Sequence, residues 1–130
     1  MNAKEFMDQL KEVQKLMNLE KYKEAIIILD KLKELEKKGE YNFNYSLIHT
    51  LYQIDSNCRS NYNQAIILTH IKKISNKQKL ISLQELNKII KNDEELDINE
   101  DILRREVELL ILRNLITGVI KKDSIILKSS

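Results

Sequence analysis

The spacing of apolar residues predicts a mainly α fold: a helical-hairpin N-terminal part, then helices combined with a small antiparallel β-sheet. Apolar residues recur at intervals of three and four through most of the 130-residue chain. The chain holds no proline and only two glycines, so little stands in the way of long helices. Two β-branched runs near the end, residues 115–121 and 124–127, have strand character. At 42% hydrophobic and 32% charged, the composition supplies a core and rules out a disordered chain.

Residues 2–17 place Phe6, Leu10, Val13, Leu16 and Met17 at helical spacing. A second helix over 19–38 carries Tyr22, Ala25, Ile26, Leu29 and Leu32, and Gly39 follows its lysine-rich last turn as a stop signal. The short connection makes these two a helical hairpin of the kind seen in TPR and HEAT repeats. A third helix is expected over 44–55 with Leu47, Ile48, Leu51, Tyr52 and Ile54 inward. The polar residues Ser56, Asn57, Ser60 and Asn61 then interrupt the pattern, and a fourth helix follows over 61–75. Tyr22-x-x-Ala25-Ile26-Ile27 recurs forty residues later as Tyr62-x-x-Ala65-Ile66-Ile67, a period that suits stacked hairpins. Chance likeness between amphipathic helices is the competing reading.

From residue 76 the pattern changes. Lys79-Leu80-Ile81 reads as a short strand, and Ser82 with Glu85 forms a capping box opening a helix over 83–91. Asp97 and Glu100 suggest a second box for a helix over 98–114, lined by Ile102, Leu103, Val107, Leu110 and Ile111. Residues 115–121 and 124–127 flank Lys122-Asp123 as a terminal β-hairpin, although the turn lacks the favoured glycine.

The order from residue 61 on is helix, strand, helix, helix, strand, strand, which is that of a winged helix. The residues that carry it are Leu80-Ile81-Ser82-Leu83-Gln84-Glu85-Leu86, Val107-Glu108-Leu109-Leu110-Ile111-Leu112 and Leu115-Ile116-Thr117-Gly118-Val119-Ile120. With the preceding hairpin region, the chain resembles the PCI domain of the proteasome lid, the COP9 signalosome and eukaryotic initiation factor 3. Members of that family extend further on the N-terminal side, so the likeness is to a minimal version. It covers about 70 residues well and the first 60 loosely. The resemblance implies a scaffold whose winged helix packs edge-to-edge with its neighbours and performs no chemistry. Residues 1–60 are then the helical-hairpin region and 61–130 the winged-helix region, expected to form one continuous globular unit.

The net charge of +2 conceals blocks. Residues 61–91 hold six lysines against Glu85 alone, and residues 92–101 hold six acids and no base. The basic run Lys72, Lys73, Lys77 and Lys79, with Lys121 and Lys122 of the hairpin, is a candidate contact for nucleic acid or an acidic partner. The plain alternative, lysines favoured at a helix C-terminus, is preferred. A DNA-binding winged helix leads into the major groove with the N-terminus of its third helix, and here Glu100 and Asp101 occupy that end.

Tyr41, Phe43 and Tyr45, with Tyr52, form an aromatic cluster that reads first as packing and second as a protein-binding patch. Ser124, Ile125, Ile126 and Leu127 read as an apolar edge strand open to β-pairing with another chain.

No constellation for catalysis is visible. His49 and His70 lack a metal-ligand partner at a usable spacing. Cys58, the single cysteine, is read in a polar turn without a positioned base. Two isolated glycines cannot build a phosphate loop. No metal, cofactor or small-molecule substrate is expected. The longest apolar run, residues 25–29, is too short to cross a bilayer, and the charged N-terminus has no signal-like apolar stretch, so a cytoplasmic protein is expected.

These readings converge on a non-catalytic protein–protein interaction or scaffold module, with protein partners or self-association. A winged-helix nucleic-acid-binding protein is the alternative. A third reading folds residues 1–75 as a stand-alone four-helix bundle.

Overall fold

A computed structural model describes residues 1–39, 44–94 and 96–128. Five helices and three strands follow one another among them: α1 (Ala3–Asn18), α2 (Tyr22–Lys38), α3 (Tyr45–Ser75), β1 (Leu80–Ser82), α4 (Leu83–Glu94), α5 (Glu100–Leu112), β2 (Gly118–Lys121) and β3 (Ser124–Leu127). The chain divides into two compact units, Met1–Tyr62 and Asn63–Ser130. The last turns of α3 therefore belong with the winged helix, and a bundle ending at residue 75 is not what forms.

In the first unit α1 and α2 make the helical hairpin. Asn2 caps α1, its Oδ1 accepting from Glu5 N at 2.8 Å. The helix ends in a Schellman turn, with Lys21 N donating to Leu16 O and Glu20 N to Met17 O. That turn needs a left-handed residue, and Glu20 supplies it at φ 60°. Gly39, at φ 66°, ends α2 as expected. Phe6, Leu10, Val13, Ala25, Leu29 and Leu32 are buried together with Leu47, Leu51, Ile54 and Cys58 of α3. Each large apolar side chain buried this way contributes about 1.5–3 kcal/mol.

The break expected at residues 56–61 does not occur: α3 is one helix. Serine and asparagine are weak helix formers, but each costs only tenths of a kcal/mol, roughly, and no glycine or proline is present to stop the helix. The interruption is a change of phase. Leu47, Leu51, Ile54 and Cys58 keep one spacing, and Gln64, Ile67 and Ile71 keep another. The nine residues from Cys58 to Ile67 span about two and a half turns, so the two stripes are out of register. The forty-residue repeat is not matched in burial either. Ala25 is buried and Ala65 exposed, while Ile27 is 57% exposed and Ile67 fully buried. The two copies occupy inequivalent positions.

The second unit is a winged helix with a three-stranded antiparallel sheet ordered β1-β3-β2. Ser82 Oγ accepts from Glu85 N at 3.0 Å, completing half of the expected box. The cap of α5 is Asn99, whose Oδ1 accepts from Ile102 N, and not Asp97. A second Schellman turn closes α5 around left-handed Asn114, with Leu115 N donating to Leu110 O and Asn114 N to Ile111 O. That turn delays β2 to Gly118. Ile67, Ile71, Ile81, Leu86, Leu103, Val107, Ile116 and Ile125 are among the buried core.

Gly118 is fixed by close approach. A Cβ there would lie 2.5 Å from Ile126 O on the neighbouring strand. Gly118→Ala is expected to lower stability by about 1–3 kcal/mol through forced separation of β2 from β3. Glu20→Gly is expected to raise it by about 0.5–1 kcal/mol, since relief of the left-handed strain exceeds the added chain entropy. Urea denaturation midpoints check both.

Candidate functional site

The groups that sequence reading singled out separate into three places. Lys72, Lys73, Lys77 and Lys79 are exposed at and beyond the last turn of α3, where Lys79 Nζ donates to Ser75 O at 3.1 Å. Lys121 and Lys122 are exposed at the tip of the wing. Tyr41 and Phe43, like Glu95 of the acidic stretch, lie outside the described residues. Tyr45 is 90% exposed and packs in no core. Tyr52 is held instead, its hydroxyl donating to Glu36 Oε2 at 2.9 Å with the Lys33 ammonium 5.8 Å above the ring. The Glu36 carboxylate raises the pKa of that hydroxyl.

The wing corrects the strand reading of Ser124, Ile125, Ile126 and Leu127. β3 is the central strand of the sheet, paired with β1 on one side and β2 on the other. Its backbone groups are spent on those ladders, and Ile125 and Leu127 are buried. The open edges belong to β1 and β2. A sequence places β3 last but not in the middle, because only pairing with distant Leu80, Ile81 and Ser82 does that.

The helix that a DNA-binding winged helix would use is α5. Its exposed positions are Glu100, Asp101, Arg105, Glu108 and Leu112. Arg104 of α5 and Arg113, the residue that caps it, bind other parts of the same unit. Arg104 Nη2 donates to the Lys122 carbonyl at the wing turn and lies 3.4 Å from Asp123 Oδ1. Arg113 Nη1 donates to Gln64 Oε1, and Arg105 Nε is 3.4 Å from Glu106 Oε1. Glu106, which sequence reading did not single out, is fully buried beside Leu103 and Val107. Position alone would have flagged it, three residues after Leu103 and four before Leu110.

His49 is exposed and His70 buried. His70 Nε2 lies 3.4 Å from Glu94 Oε1 and Nδ1 lies 3.9 Å from Asp93 Oδ2. Nε2 makes no hydrogen bond. The two carboxylates face different ring nitrogens, so one ion cannot take all three groups. Among the described residues no group of three His, Cys, Asp or Glu side chains is arranged to hold a metal. No helix of the described residues is long and apolar enough to cross a membrane.

Cys58 is fully buried in α3 and does not lie in a turn. Beside it, Asp55 binds Lys33 Nζ at 3.2 Å and Arg59 Nε at 3.1 Å, and Arg59 Nη2 reaches Asp30 Oδ1. This ion cluster joins α2 to α3, and sequence reading missed it because its members are 22 and 29 residues apart. Burial, reinforced by the Asp55 charge, raises the Cys58 pKa. The thiol is thus expected to resist Ellman's reagent in the native protein and react at once in urea. The sign for stability follows: the folded chain holds its thiol proton more tightly, so stability declines once pH passes the ordinary thiol range. Cys58→Ser is the control for that pH dependence.

Compared with known proteins, the chain matches no family model, no curated protein and no solved structure.

Proposed function

We propose that this chain is a non-catalytic protein–protein interaction module, a cytoplasmic scaffold resembling a minimal PCI domain. One observation carries the reading: the leading end and exposed face of α5 present Glu100, Asp101 and Glu108 against Arg105. A helix with that face repels phosphates, and Arg104 and Arg113 are committed to the wing turn and to Gln64. A winged helix whose reading helix is unfit for DNA still offers a rigid framework with two open sheet edges. Those edges, on β1 and β2, replace β3 as the places where another strand can add.

The second reading is nucleic-acid binding through the exposed Lys121 and Lys122 of the wing and the lysines that end α3. It requires an affinity that falls steeply with salt. Fluorescence anisotropy against duplex DNA and RNA at low salt separates the two. A flat titration is expected, with size-exclusion light scattering and affinity purification showing a protein complex. A salt-steep duplex affinity, or a lone monomer without partners, overturns the scaffold reading.

A further inference from the structure

The two faces of the sheet differ in a way that α5 does not explain. Ile81, Ile125 and Ile120 are opposite one another across the three strands and belong to the core side. Side chains alternate along a strand, so Leu80, Ile126 and Val119, also mutual partners, point to the other side. They form a row of three apolar side chains running across the strands. Leu80 is 58% exposed, and Ile126 and Val119 are half-buried, with neither packed on the unit's core. An outward sheet face ordinarily carries polar residues at such positions.

The surroundings of the row are polar and one-signed. Ser82, Ser124 and Lys121 form the next row on one side. On the other, Lys128 N donates to Thr117 O, continuing the ladder with both side chains exposed. The apolar row is therefore bracketed by Lys121 and Lys128, and none of these outward positions is a carboxylate. Asp123, the nearest acid in sequence, is exposed in the wing turn and outside these rows, 3.4 Å from Arg104 Nη2.

We propose that this outer face docks an acidic amphipathic α-helix of a partner protein, laid across the strands. This deepens the protein-interaction reading above and rests on it. The spacing argues for a helix. Strands lie about 4.8 Å apart and a helix advances about 5.4 Å per turn, so residues at i, i+4 and i+7 meet Leu80, Ile126 and Val119 one per turn. Aspartates or glutamates flanking that stripe then reach Lys121 and Lys128. The charge argues for an acidic partner over a second copy, because identical faces would set lysine against lysine at the rim of the contact.

The test uses the full chain and a fluorescein-labelled synthetic peptide of about 18 residues, long enough to form an isolated helix, with leucines at i, i+4, i+7 and i+11 flanked by glutamates. Saturable anisotropy binding is expected, weakened at least tenfold by Leu80→Asp and abolished by Lys121→Glu with Lys128→Glu. A peptide with lysines in place of the glutamates is expected not to bind. All substituted positions are exposed, and circular dichroism verifies folding. Should Leu80→Asp fail to fold, the lysine reversals keep the test intact. Absence of saturable binding, or binding that neither set of substitutions weakens, overturns the proposal. So does a dimer that Leu80→Asp dissociates, which would make a second copy the occupant. If the peptide fails while the protein still assembles with a partner through another surface, only this face is refuted. Salt-steep duplex binding lost in Lys121→Glu with Lys128→Glu would refute the interaction reading beneath it as well.

Discussion

Ile125 holds the C-terminal unit together from both directions. Its strand is hydrogen-bonded to β1 on one side and to β2 on the other, and its side chain is fully buried among residues from α3, α4 and α5. β1 and β2 are joined into one sheet only through this strand, because they do not pair with each other. Arg104 makes a second fastening, from the buried-side helix to the carbonyl of Lys122 at the wing turn. Lys122 sits there at φ 53°, a conformation that costs a residue with a Cβ about 1–2 kcal/mol. The strain is held in place by the ladders on either side of the turn.

The same placement decides what the surface can offer. A central strand has no free backbone groups, so recognition through β3 itself is closed, and what remains are the sheet edges and its outer face. α5 presents mostly carboxylates to solvent and keeps Arg104 and Arg113 for internal contacts. In the first unit one cluster of charges likewise serves the fold, with Asp55 at 7% exposure bridging Lys33 and Arg59. Burying a carboxylate is tolerable there because two cations satisfy it.

Much of this architecture was legible in the sequence because local signals agreed with the tertiary outcome. The stripes of α1 and α2, Gly39, the Ser82 cap and the strand Ser124–Leu127 were all readable from spacing and residue type. The failures have specific causes. α3 looked like two helices because its apolar spacing changes phase between Cys58 and Ile67, and a polar interval with no glycine or proline is a poor stop. Glu20 and Asn114 end their helices in left-handed conformations that sequence signals associate with glycine, so those turns were hidden. Spacing and residue type locate the strand Ser124–Leu127 but not its neighbours, since strand order depends on contacts distant in sequence. The outer row of Leu80, Ile126 and Val119 became visible only once the register was known, although each residue alternates with a core residue in its own strand.

The middle strand of the sheet is also the last of the strands among the described residues. Leu80, Ile81 and Ser82 have no strand partner until Ser124–Leu127 has been made, and the intervening helices must be bridged before that pairing returns any energy. Closing so long a loop before its contacts form places an entropic barrier ahead of the sheet. On a ribosome, where synthesis runs from the N-terminus at roughly 5–20 residues per second, the hairpin of α1 and α2 has its partners early. The winged helix stays open until nearly the whole described chain has emerged.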